Sequence, residues 1–115
     1  MIDWEDLAQE QVAEIQRALP ESIKVRATEV PVFFRPRRDR KNSACLGVFE
    51  GCSLLGGPPT QPGEMPRITL FFETLARAAN YQRSAFLHEV RITYLHELGH
   101  YLGWDEEQIA NAGLG

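Results

Sequence analysis

Five consecutive residues, His96-Glu97-Leu98-Gly99-His100, carry the spacing most able to do chemistry in this 115-residue sequence. Two histidines four apart on a helix project from one face, one turn apart, so both imidazoles can bind a single tetrahedral Zn²⁺. Glu97 lies between them. In the HExxH pattern that glutamate is not a ligand but the base that accepts a proton from the attacking water. Three specified residues at background usage coincide in only about 0.003 of chains this long, so a chance match on a core helix is a weak explanation.

Such a site needs a helix with one face anchored and the other open. The spacing predicts one from about Ser84 to Leu102. At 100° per residue, Leu87, Val90, Tyr94, Leu95, Leu98, Tyr101 and Leu102 form a broad apolar face, and Glu89, Thr93, His96 and His100 fall opposite. Gly103 suits a helix-ending position with positive φ, turning the chain sharply after the second histidine. His88 points well away from His96 and His100 and reads as an ordinary surface histidine. Asp105, followed three residues later by Gln108, reads as a capping box that opens a terminal helix.

The upstream elements follow from periodicity. Trp4, Leu7, Ala8, Val12, Ile15 and Leu19 share one face of a helix capped by Asp3 and ended by Pro20. From Ile23 the period becomes two through Ala27, which predicts a half-buried strand. Val32-Phe33-Phe34 extends it or forms another. Arg35 to Asn42, with five basic residues, reads as a solvated loop. Leu46 to Phe49 and Arg67 to Phe72 are expected strands, and a short helix spans about Glu73 to Ala79. Between Gly56 and Pro66, four prolines and three glycines oppose both helix and ladder and predict a long loop.

Composition bounds the setting. With 43% hydrophobic residues, residues 1–115 suit one domain around a single core. The net charge of -4 opposes broad nucleic-acid binding, so no nucleic-acid partner is expected. The acidic start has no signal-peptide pattern, no apolar run reaches membrane-spanning length, and Cys45 and Cys52 fit neither a zinc ribbon nor a disulfide framework. The expectation is a cytoplasmic protein with free thiols. Oligomeric state leaves no signature.

HELGHYLGWDEE at residues 96–107, the helix before it with Val90 and Thr93, and the stretch Leu46-Gly47-Val48-Phe49-Glu50-Gly51 resemble the minimal zincin-like proteins of bacteria, small domains classed as candidate zinc metallopeptidases. The resemblance implies an α+β fold: a small mixed sheet packed against helices, a central HExxH helix and a site open at one side. It also implies an extended pattern, HExxHxxGxxD, whose last acid is the third metal ligand. Here that position holds Glu106, a longer carboxylate, with Asp105, Glu107 or an upstream side chain as alternatives. The methionine-containing turn found beneath the metal in many such peptidases has no counterpart among the nine residues after Glu106.

The leading expectation is a zinc-dependent peptidase acting on peptide or protein substrates, with His96, His100 and Glu106 on Zn²⁺ and Glu97 as base. A non-catalytic zinc-binding interaction domain is the main alternative, although a purely structural site has no need of Glu97. A metal-dependent endoribonuclease family has a similar helix, but with glycine where Glu97 stands and histidine where Glu106 stands. No residue announces itself as the oxyanion stabiliser. Tyr81, Tyr94 and Tyr101 are candidates by type, and the last two fall on the buried face.

Overall fold

The computed structural model describes residues 1–41, 44–57 and 59–111. Its elements in chain order are α1 (Trp4–Ala18), α2 (Glu21–Ala27), β1 (Val32–Arg35), β2 (Gly47–Glu50), β3 (Arg67–Phe71), α3 (Phe72–Ala78), α4 (Arg83–Tyr101) and α5 (Glu106–Asn111). The sheet order is β1-β3-β2, with β1 parallel and β2 antiparallel to the central β3. This is the α+β arrangement of a small mixed sheet and helices that the resemblance implies.

α4 is the element around which the others pack. Phe86, Tyr94, Leu95 and Leu98 are fully buried, each contributing about 1.5–3 kcal/mol by removal from water. α1 lies along its back, where Gln11 Nε2 donates to the Leu87 carbonyl at 3.1 Å and Gln16 Nε2 to the Tyr94 hydroxyl at 3.1 Å. Asp3 caps α1 as expected, accepting from the Asp6 amide at 3.0 Å. Near the end of α4 Tyr101 ties in the segment that follows α2, its hydroxyl donating to Glu29 Oε1 at 2.8 Å. Burial first, then the Glu29 hydrogen bond and charge, push the Tyr101 pKa up to about 12.

One expected strand is a helix. Residues 23–28 fall within and just after α2. Ile23 and Ala27 satisfy a period of two and also the i, i+4 spacing of a helix face, so the short run is ambiguous. The flanks decide it: Pro20 occupies the N-cap, Glu21 the first turn, and Lys24 and Arg26 the last turn, where each suits the helix dipole. Val25, which an alternating strand would bury beside Ile23 and Ala27, is 53% exposed.

Smaller shifts have local causes. Arg35 ends β1 rather than opening the basic loop, whose residues 36–41 are exposed. The loop's expected end, Asn42, lies outside the described residues. β2 starts one residue late, at Gly47, and Phe72 begins α3 instead of ending β3. Thr69 and Phe71, which alternate with the core-facing Ile68 and Leu70, are buried as well, because β3 is the central strand and has neighbours on both sides. One 3-10 turn, Leu54–Gly56, leads into the proline-rich loop and another, Pro62–Glu64, lies within it, and the Cys52 amide bonds the Glu64 carbonyl at 2.8 Å. Pro58 within it lies outside the described residues. Cys45 and Cys52 are free thiols. Among the described residues no helix is long and apolar enough to cross a membrane.

Candidate metal centre

The last turn and a half of α4 carries His96, Glu97 and His100. The imidazole Nε2 atoms of His96 and His100 lie 3.0 Å apart, with the rings edge-on at 80°. Two nitrogens bound tetrahedrally to Zn²⁺ at 2.0–2.1 Å stand about 3.3 Å apart, so the pair needs an adjustment of only a few tenths of an ångström. Their ligand atoms and a Glu97 carboxylate oxygen all lie within 4.8 Å of one another. That donor set, imidazole and carboxylate, suits zinc.

The chain then turns back over the site. Gly103 adopts φ +79°, and paired hydrogen bonds close the helix end: the Gly103 amide to the His100 carbonyl at 3.0 Å and the Trp104 amide to the Gly99 carbonyl at 2.9 Å. This is the Schellman arrangement, in which a glycine avoids the steric cost of the left-handed region. The capping box follows as the sequence predicts. Asp105 Oδ1 accepts from the Gln108 amide and Gln108 Oε1 from the Asp105 amide, both at 2.8 Å. α5 thus starts with Glu106 in its first turn, and Glu106 Oε1 lies 3.2 Å from His96 Nε2. Glu106 stands outside the tight cluster of His96, Glu97 and His100, and its side chain is 73% exposed. Asp105 is occupied as the cap. His88 is exposed on α4 and outside the cluster, as expected.

Glu97 sits in a different environment from Glu106. It is half-buried, and burial raises its carboxyl pKa; His100, His96 and a hydrogen bond from the Phe49 backbone amide pull it back, while Glu106 pushes it up. The balance leaves it raised. The Phe49 amide is a functional group that sequence reasoning missed. In the β2–β3 ladder the Leu46 carbonyl accepts from the Phe71 amide, so by alternation the backbone groups of Gly47 and Phe49 face away from β3. The only available signal was Gly47, since an isolated glycine in a strand marks a close approach. A Cβ there would stand 2.7 Å from Thr93 Cγ2, so β2 can lie directly over α4 only because that position has no side chain.

A recess of about 280 Å³ opens beside His96 and Glu97, lined also by Leu46, Gly47, Ile92 and Thr93. None of the tyrosines reaches it. Tyr94 is buried against α1, Tyr101 is buried with its ring 6.0 Å from that of Phe49 and its hydroxyl on Glu29, and Tyr81 precedes the first turn of α4, fifteen residues and roughly 22 Å of helix from His96.

The sequence model of a family described as zincin-like metallopeptidase matches residues 21–114. That span covers α2 through α5 and every residue of the cluster. No curated protein matches the chain.

Proposed function

Because this chain belongs to the zincin-like metallopeptidase family, we propose that it is a zinc-dependent peptidase whose centre is built from His96, His100 and Glu106, with Glu97 as the proton-transfer residue. The observation that supports this reading most is the 3.0 Å approach of the two imidazole nitrogens with a half-buried glutamate between them in sequence. When bound, Zn²⁺ supplies Lewis acidity that activates water and polarises a carbonyl oxygen. Glu97 accepts the proton of the attacking water and passes it to the leaving amine. Its burial strengthens its hold on the proton, and the Phe49 amide keeps the carboxylate oriented.

Substrate binding follows from the sheet. β2 is an edge strand, and the outward backbone groups of Gly47 can pair with an extended peptide laid beside it. Alternate side chains of that peptide would then turn toward the recess formed by Leu46, Ile92 and Thr93, which suits an apolar residue of moderate size. The occupant in this reading is a peptide or protein, not RNA.

Glu106 and Asp105 separate by substitution. Glu106→Ala lowers zinc affinity by about 10-fold or more, the loss of a ligand, whereas Asp105→Ala chiefly weakens α5 by about 1 kcal/mol, the loss of a cap. Competition against a zinc chelator measures the first and chemical denaturation the second. Wild-type affinity in Glu106→Ala with loss in Asp105→Ala or Glu107→Ala would move the ligand by one residue.

One observation favours a second reading. The Glu97 carboxylate lies close enough to both imidazoles to close the site as a ligand, which would make a non-catalytic zinc-binding module. Zinc-loaded protein incubated with a mixed peptide library decides between them. New termini that vanish on chelation and return with zinc support the peptidase; an untouched library with zinc bound leaves the binding module.

A further inference from the structure

α5 has six residues, too few to hold its own position in water, and its buried residue is Ile109. Ile109 rests on Gly99, between the two histidines of the motif. A Cβ on Gly99 would collide with Ile109 Cδ1 and stand 2.5 Å from its Cγ1. The same glycine's carbonyl takes the Trp104 amide at 2.9 Å, so Gly99 both closes the turn after α4 and seats the helix that follows it.

Glu106 and Ile109 are three residues apart on α5 and therefore share a side of that helix. One residue reaches His96 at 3.2 Å, and the other fills the space over Gly99. We propose that Gly99 and Ile109 form a lock that sets the distance of Glu106 from the imidazoles, and that a glycine is required inside the motif for this reason. Both are positioning residues, acting through Glu106. The proposal rests on the reading of Glu106 as a metal ligand.

A methyl at position 99 meets the outer Ile109 side chain, Cδ1 and Cγ1, while Ile109 Cβ at 3.7 Å stays at ordinary contact distance. Because Ile109 is buried, its neighbours oppose a simple swing of that side chain and pass part of the shift to α5. Whatever part of the shift α5 takes up moves Glu106, and metal-ligand bonds tolerate only about ±0.2 Å. The histidines keep their places on α4, so the loss falls on the carboxylate.

A double-mutant cycle in Co²⁺ binding tests this, read by the visible absorption that reports coordination. The variants are Gly99→Ala, Glu106→Gln and the two combined, with Gly99→Ala/Ile109→Ala as rescue. The expected result is a loss of Co²⁺ affinity of about 10-fold or more in Gly99→Ala, with an altered spectrum like that of Glu106→Gln. In the Glu106→Gln background the same glycine change costs little further affinity, because the group it displaces is gone. Removing most of the Ile109 side chain makes room for the new methyl and restores much of the affinity. Should Gly99→Ala fail to fold, Ile109→Ala carries the same cycle, again with an effect that depends on Glu106. Equal losses in both backgrounds overturn the lock while leaving the metal centre standing. Undiminished affinity in Glu106→Gln removes Glu106 as ligand and the lock with it, and a wild type that binds no Co²⁺ overturns the centre itself.

Discussion

His96→Ala and His100→Ala are each expected to abolish stoichiometric zinc binding. In the proposed centre each imidazole supplies one of the metal's protein bonds, and the chain's third histidine, His88, lies outside the cluster and cannot replace either. The one imidazole left behind, with the carboxylates of Glu97 and Glu106, offers no comparable affinity for zinc at neutral pH. His96 is partly exposed and His100 exposed, so neither change empties the core, and the variants should fold. Metal analysis after gel filtration reads the result: about one zinc per wild-type chain and none above background in either variant. Undiminished zinc in both would remove the two histidines from the account.

Glu97→Gln separates catalysis from metal binding. Glutamine keeps the size of the side chain and can still accept the Phe49 amide hydrogen bond through its carbonyl, but it cannot take up a proton. Zinc content and thermal stability should therefore stay close to wild type while peptide cleavage falls by about 10²-fold or more, the scale of a positioned acid-base group. Single-turnover cleavage of a peptide selected from the library measures it. A variant that cleaves as fast as wild type would transfer the activity to another group or to a contaminant. A variant that loses its zinc would place Glu97 among the ligands.

Much of this centre was legible because its signals are local. The i, i+4 histidines, the glycine that ends α4 and the Asp105–Gln108 box each need only a few consecutive residues, and α1 and α4 announce themselves by long apolar stripes. α2 was misread because seven residues do not distinguish Ile23 and Ala27 on a helix from the same pair on a strand. The Phe49 amide reaching Glu97 depends on which backbone groups β3 has already taken, a long-range pairing that no window around residue 49 contains. The same holds for Ile109 over Gly99, which exists only once the chain has reversed at Gly103. The front of α4 was expected to be polar and open, yet Thr93 is 7% exposed because β2 lies across it at Gly47.

That covering gives the site its asymmetry: β2 and Glu97 lie on one side, and the exposed Glu106 on the other. A hydrolytic centre requires a coordination position left for water, whereas a structural site is closed by four protein ligands. A crystal structure of the zinc-loaded protein tests this most directly. The account predicts His96 and His100 nitrogens at about 2.0–2.1 Å, a Glu106 oxygen, and water in the fourth position within hydrogen-bonding reach of Glu97. A zinc ion closed by Glu97 itself, with no water bound, would contradict it.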